Sequence, residues 1–249
     1  MDSVWPVVLM ATLAGAAIPA GAFLGRLQPL FQRWLDTEFR HSVIAFGGGA
    51  LLAAVSLVLV PKGMESLSVG WIVVGMLGGG IAFGMLDAVL SRLKGSVSQL
   101  VAMLADFIPE ALALGALFAA NGNGAYVLAL LIALQNLPEG FNAFRELTAS
   151  DEPAREHRGR TAQDMADRPV LLWFLLLVPL GPLAGLAGHF WLVDQAATLG
   201  FIMMFASGGI LYLVFQDIAP QARLERHWAP SLGAVAGFLL GVLGHLAVG

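Results

Sequence analysis

The chain has no cysteine. Disulfides, thiolate metal ligands and cysteine nucleophiles are therefore excluded, and the redox compartment stays undetermined. Charge is scarce as well. Asp, Glu, Lys and Arg make up 12% of the 249 residues, against about 25% in a soluble domain. These charges sit in short polar stretches, and the long stretches between them are nearly free of charge. No large soluble domain fits in the polar stretches, and the net charge of −4 points to no partner. Nothing suggests a nucleic-acid partner.

What is present is apolar: 58% of the residues are hydrophobic. A spanning helix needs roughly 20 predominantly apolar residues. Eight such runs are read, approximately over 5–25, 40–60, 69–91, 97–120, 124–147, 170–192, 198–219 and 229–248. The chain is expected to be an all-α integral membrane protein, one transmembrane domain over 1–249 with the lipid bilayer as its surroundings. The Asn121-Gly122-Asn123-Gly124 turn separates the fourth and fifth runs. The only long connection, 148–169, reads as a cytoplasmic loop. The first run carries no Lys or Arg before Arg26. A secretory signal has its positive charge first, so this run reads as an uncleaved span.

Positive charges set the expected orientation. With the N-terminus outside and eight crossings, the inner loops hold Arg26, Arg33, Arg40, Arg92, Lys94, Arg155, Arg158, Arg160, Arg168, Arg223 and Arg226. Arg145 joins them at the inner end of the fifth span. Of the 13 basic residues only Lys62 is then outside. Both termini are expected outside. Small-xxx-small spacing recurs in Gly21/Gly25, Gly75/Gly79, Gly80/Gly84, Gly181/Gly185 and Gly233/Gly237/Gly241. It predicts helix contacts, and leaves open whether they lie within the bundle or in a homodimer.

The chemistry lies in intramembrane acids, which cost about 2.5–3.5 kcal/mol each to insert at mid-bilayer. The fourth span contains Asp106-Phe107-Ile108-Pro109-Glu110, and the fifth contains Gln135-Asn136-Leu137-Pro138-Glu139-Gly140. Both follow the pattern polar, x, x, Pro, Glu. Asp106 and Glu110 stand four residues apart, as do Gln135 and Glu139, so each pair shares a helix face. At roughly 1.5 Å rise per residue both pairs fall near mid-bilayer. Pro109 and Pro138 free backbone carbonyls one turn earlier. The acids either fasten two helices in protonated form or make an oxygen-rich cation site. Three acids in a duplicated pattern favour the cation site.

These motifs resemble those of the ZIP (ZRT/IRT-like protein) metal transporters. That family reads His-Asn-x-Pro-Glu-Gly in its fourth span and His-Asp/Asn-x-Pro-Glu-Gly in its fifth, where this chain has Asp106–Ala111 and Gln135–Gly140. Ala45–Ala50 through Val60-Pro61 resembles the family's second span, and Phe205–Gly209 through Asp217–Pro220 its seventh. The resemblance implies an eight-helix ZIP-like bundle with both termini outside. It also implies alternating access and transport of a divalent metal toward the cytoplasm. Zinc is the implied substrate, with manganese, iron, cadmium or magnesium as alternatives. The membrane would be a plasma membrane or a bacterial inner membrane.

The departures from the family pattern shape the expected site. Asp106 and Gln135 replace the motif histidines. Phe107 removes a ligand of the family's second metal position, and Gly181 stands where a Glu often precedes a Pro. Asn136 keeps the bridging Asp/Asn place with a weaker donor. The implied site is a single metal held by Asp106, Glu110 and Glu139, with Gln135 helping and Asn136 as a weaker donor. The family's histidine-rich loop between spans three and four is absent. An enzyme is not expected, since neither His-Glu-x-x-His nor Gly-x-Ser-x-Gly occurs. A ZIP-fold protein that binds a cation as sensor or structural element, without moving it, remains the alternative.

Other polar residues have ordinary expected roles. His189 and His245 read as interfacial. Glu65 reads as either an ion-pair partner of Lys62 or a cation collector. Asp87 is expected to pair with Arg92 or Lys94. Gln216 and Asp217 read as either surface-solvated or cytoplasmic exit contacts. Trp5, Trp71, Trp173 and Trp191 read as interfacial anchors.

Overall fold

A computed structural model describes residues 4–27, 38–93, 96–120, 122, 124–149, 160–224 and 227–248. Arg33, Lys94, Arg155, Arg158, Arg226, Asn121 and Asn123 lie outside the described residues. Among the described residues every regular element is helical. In chain order they are α1 (Trp5–Leu27), α2 (Arg40–Met64), α3 (Val69–Leu93), α4 (Ser96–Ala119) and α5 (Gly124–Ala149). Then come α6, in two segments Arg160–Leu177 and Leu180–Trp191, α7 (Ala196–Ala222) and α8 (Ala229–Val248). Seven of these eight, all but α4, are long and apolar enough along the described residues to cross a membrane. The chain is a multi-pass membrane protein in these terms.

Sequence and structure differ around α6. The loop read over 148–169 is shorter than expected, because Thr148 and Ala149 still belong to α5 and helix resumes at Arg160. Residues 150–159 lie outside the described residues. The sixth span, read as one run, is interrupted at Val178 and Pro179. Pro179 lacks an N–H and its ring opposes the preceding turn. The bend is seated on α1, where a Cβ at Gly15 would lie 3.2 Å from the Val178 carbonyl oxygen.

The helices form an inner and an outer set. Two thirds of the apolar stretch of α2 and of α5 is buried (67% each), and 56% of that of α7. The figure is 17% for α3 and α8 and 22% for α6, so these helices are peripheral. The exposed apolar surface of α3 includes Trp71, Leu77, Ile81 and Met85. In water it would be an aggregation-prone patch; against lipid tails it is an ordinary surface.

Glycine makes the close contacts. A Cβ at Gly21 would overlap the Leu137 carbonyl, and one at Gly25 would lie 2.9 Å from the Phe141 carbonyl oxygen, joining α1 to α5. Gly79 meets Phe205 and Gly84 meets Tyr212, joining α3 to α7. Gly233 meets Ser42 and Gly237 meets Phe46, joining α8 to α2. Numbers rise together along each pair, so the partners run parallel. The glycine spacing read in the sequence is thus used for contacts within one chain.

The same contacts reveal an internal repeat. Gly49 of α2 faces the Ala234 carbonyl of α8, and Gly208 of α7 faces the Met76 carbonyl of α3. Gly237 faces the Phe46 carbonyl, and Gly79 the Phe205 carbonyl. Matching α2 with α7 and α3 with α8 turns each contact of one pair into its counterpart. At the same constant spacing, the π-helical turns Val55–Leu59 and Val214–Ile218 coincide, each two residues before a proline, Pro61 or Pro220. A wider turn accommodates a proline that lacks its N–H and crowds the carbonyl four residues back. In α1 and α6, Pro19 matches Pro182, while Gly25 against Phe141 matches Gly188 against Leu112. The α4/α5 pair completes the scheme through Asp106/Gln135, Pro109/Pro138 and Glu110/Glu139.

Candidate metal centre

Asp106 and Glu110 project from one face of α4, and Gln135 and Glu139 from one face of α5. Glu110 and Gln135 are wholly buried, Asn136 and Asp106 are buried, and Glu139 is partly open to an internal cavity. The Gln135 amide Nε2 donates to Glu110 Oε2 at 2.5 Å. One turn along each helix, in the direction of Arg40, Asp106 and Glu139 both line the cavity. The site is therefore layered: a sealed pair, Glu110 with Gln135, and an open pair, Asp106 with Glu139. Asp106 lies near enough to both glutamates for like charges there to repel.

The hydrogen-bond accounting is incomplete in one chemical direction. Buried polar groups are normally paired. Here Asp106 Oδ1, Glu110 Oε1, Gln135 Oε1 and Asn136 Oδ1 are all buried without a donor. All four are acceptor oxygens of the predicted site residues. A cation or ordered water satisfies such atoms; a further protein acceptor would not.

Asn136 plays a different part from its neighbours. Its Nδ2 donates to the Ala14 carbonyl at 2.9 Å and so ties α5 to α1. It does not line the cavity. Two of the departures from the ZIP pattern pack on each other: Phe107 is buried, and its Cζ lies 2.7 Å from where a Cβ at Gly181 would stand. An aromatic ring thus fills space that a second polar ligand pair would need. Among the described residues, no three His, Asp or Glu side chains converge tightly on one metal position. The expected triad of Asp106, Glu110 and Glu139 is brought into one neighbourhood, not into one coordination shell.

The cavity reaches from Asp106 and Glu139 toward the ends of α5 and α7 that share a face with Arg40. Gly47 and Gly48 of α2 form part of its wall, and Asn142, Asp217 and Gln221 also line it. A hydrogen-bond chain crosses three helices here. Arg40 Nη2 donates to Asn142 Oδ1 at 3.3 Å, Asn142 Nδ2 to Gln221 Oε1 at 2.9 Å, and Gln221 Nε2 to Asp217 Oδ1 at 2.6 Å. Sequence reasoning missed Arg40, Asn142 and Gln221 as site neighbours. The signal was helical spacing, since Asn142 follows Glu139 by three and Gln221 follows Asp217 by four. On the opposite side of the sealed pair the described side chains are apolar and packed. Leu59, Leu114, Leu128, Ile132 and Met203 are all wholly buried there.

The remaining polar residues resolve simply. Lys62 pairs with Glu65 at 2.5 Å on the surface, and such a pair adds little stability. Asp87 accepts from the Tyr212 hydroxyl at 3.0 Å, tying α3 to α7; Lys94, one of its two expected partners, lies outside the described residues. His245 is exposed, and His189 stacks edge-on against Phe190. Trp5, Trp71, Trp173 and Trp191 are exposed near helix ends. No family model and no curated protein matches the chain.

Proposed function

We propose that the chain is a ZIP-like carrier of divalent cations, moving zinc or a similar metal toward the cytoplasm by alternating access. The observation that carries this reading is the set of four buried acceptor oxygens without donors, two carboxyl and two amide, of which the Asp106 oxygen belongs to the lining of the cavity and the other three to residues off that lining. Buried ionisable groups in a membrane mark ion pathways by default. Inverted repeats around a midplane site are the common architecture of carriers, and the matched helices here have that arrangement. Asp106 and Glu139 meet a cation from the cavity, and Glu110 and Gln135 complete its shell once the layers close together.

In this reading α4 is an eighth span, both termini lie outside, and the cavity opens to the cytoplasm. The parallel pairing of α1 with α5 supports that count, because it requires an odd number of crossings between them, and with α2 and α3 crossing α4 must cross too. The positive charges support the orientation, which makes the membrane a plasma membrane or a bacterial inner membrane. The donors are all oxygen, a set suited to Mg²⁺, Ca²⁺ and Mn²⁺ that also admits zinc.

A second reading, a cation-binding protein without transport, is favoured by the lack, among the described residues, of a tight three-ligand cluster. Uptake into proteoliposomes across a panel of divalent metals separates the two. Uptake that Glu110→Ala abolishes is the expected result. Binding without uptake of any metal overturns the carrier reading.

A further inference from the structure

The antiparallel register of α4 against α5 continues past the two layers of the site. It sets Glu110 opposite Gln135 and, one turn along, Asp106 opposite Glu139. Three residues further in each helix, about 4.5 Å along the axis, it sets Met103 opposite Asn142. Both line the cavity together with Asp106 and Glu139. Met103 therefore stands between the open layer and the end of the cavity near Arg40. The matched layer beyond the sealed pair is Ala113 with Ile132, buried at 1% and 0% exposure. An aliphatic side chain satisfies the packing there, whereas a thioether takes the same place on the cavity side. The other large aliphatic side chains of the described wall, Ile44, Leu51, Leu213 and Ile218, carry no donor atom. Met103 carries one, its sulfur.

We propose that Met103 is a metal ligand that sets selectivity: its sulfur, with the carboxylates of Asp106 and Glu139, holds a zinc or cadmium ion on the cavity side of the site. The inference rests on the cation-site reading given above and names the ion class that the site prefers. Asp106 Oδ1 is buried without a donor, and Asp106 and Met103 share a helix face at a spacing of three. Asn142, across from Met103, is already engaged: its Oδ1 accepts from Arg40 and its Nδ2 donates to Gln221. The sulfur is then the ligand which that layer offers. His, Asp and Glu alone do not supply a tight set of three among the described residues; two carboxylates with one thioether do not need a third acid. A thioether is a soft donor that favours zinc and softer ions, whereas carboxylate and carbonyl oxygens suit magnesium, calcium and manganese. Sulfur in the shell therefore pulls an otherwise oxygen-only site toward the softer ions.

The test is Met103→Leu in the full chain, titrated separately with Cd²⁺ and Mn²⁺ in micelles. Leucine keeps the volume, and such exchanges are well tolerated in a core. Met103→Ile, which copies the residue at the matched position, replaces it if the first variant fails to fold. The expected result is about tenfold weaker Cd²⁺ binding with Mn²⁺ binding changed by less than about twofold. A purely packing role would change both ions alike. Cadmium NMR is the second readout, because a directly bonded sulfur moves the signal of the bound ion away from that of an all-oxygen shell. An unchanged ratio of Cd²⁺ to Mn²⁺ affinity, or the same cadmium signal in the native protein and the variant, overturns Met103 as a ligand. If Asp106→Asn still weakens both ions in that case, the cation site stands without the sulfur. If the native protein binds neither ion, the site and the ligand fall together. A selective loss of Cd²⁺ binding in a protein that takes up no metal into proteoliposomes keeps Met103 and sinks the carrier reading alone.

Discussion

Replacing Gln135 by Leu tests the sealed layer most directly. The change keeps approximate volume and removes the amide donor. Glu110 is then wholly buried with Oε1 already lacking a donor and Oε2 newly deprived of one. Leaving a buried acceptor unpaired costs about 1–3 kcal/mol. Hydrogen bonds between membrane helices couple by about 0.6 kcal/mol on average, with a maximum of about 1.7. A carboxyl acceptor lies at the strong end of that range, so the expected Glu110–Gln135 coupling is about 1.5 kcal/mol. Glu110→Leu combined with Gln135→Leu removes both polar partners and should recover most of the loss, because a matched apolar pair is nearly neutral. Equilibrium unfolding of the four proteins of this cycle in micelles gives the coupling. Metal titration on the same samples shows whether binding goes with the pair. If Gln135→Leu costs nothing and the double variant is no more stable than Gln135→Leu alone, the two side chains are not partners and the layered site is wrong.

Three further outcomes are expected. Asp106→Asn and Glu139→Gln should each weaken Mn²⁺ binding by about 10- to 100-fold in titration calorimetry, since each removes a charge facing the cation across a partly desolvated gap. His189→Ala and His245→Ala should leave that affinity unchanged; the opposite pattern would move the site. Asp106→His with Gln135→His should shift preference toward zinc or cadmium over manganese, because imidazole suits those ions better than carboxyl oxygen does. An unchanged preference in competition binding would mean that these positions do not set selectivity. In intact cells a thiol at Lys62 should react with an impermeant reagent while one at Arg168 should not, and labelling at Arg168 would invert the proposed topology.

The spans were legible because lipid demands long runs without charge, and that demand leaves a plain trace in composition. The site residues were legible because acids in such runs are costly and therefore conspicuous. Asp106, Glu110 and Glu139 stood out on that ground, Gln135 through the repeated polar-x-x-Pro-Glu pattern, and helical spacing gave their shared faces. Their division into a sealed and an open layer was not legible. It depends on the antiparallel register of α4 against α5, which sets Gln135 opposite Glu110. Asn136 was read as one of the metal-site residues, yet its amide reaches the Ala14 carbonyl of α1, a contact that only the packed bundle defines. The Val178–Pro179 interruption was passed over because hydropathy is blind to a missing N–H.

The larger repeat was hidden for a related reason. Between α4 and α5 the matched residues are polar and prolyl, and the match catches the eye. Between α2 and α7 the shared features are Phe46 with Phe205, Gly49 with Gly208 and Pro61 with Pro220, common residues in any membrane helix. Their equivalence emerges only when each glycine is seen against a carbonyl and each π-helical turn is found before its proline. Backbone contacts keep the symmetry because packing and hydrogen bonding constrain both halves alike. Side chains facing the path need not keep it, and they do not: Val58 answers Asp217, Lys62 answers Gln221, and Gln135 answers Asp106. On the carrier reading the backbone would give the two sides equivalent ways to open, and these three differences would make them unequal toward a cation. A directional preference, if transport is measured, therefore belongs to those positions, and exchanging Lys62 for Gln with Val58 for Asp should lessen it.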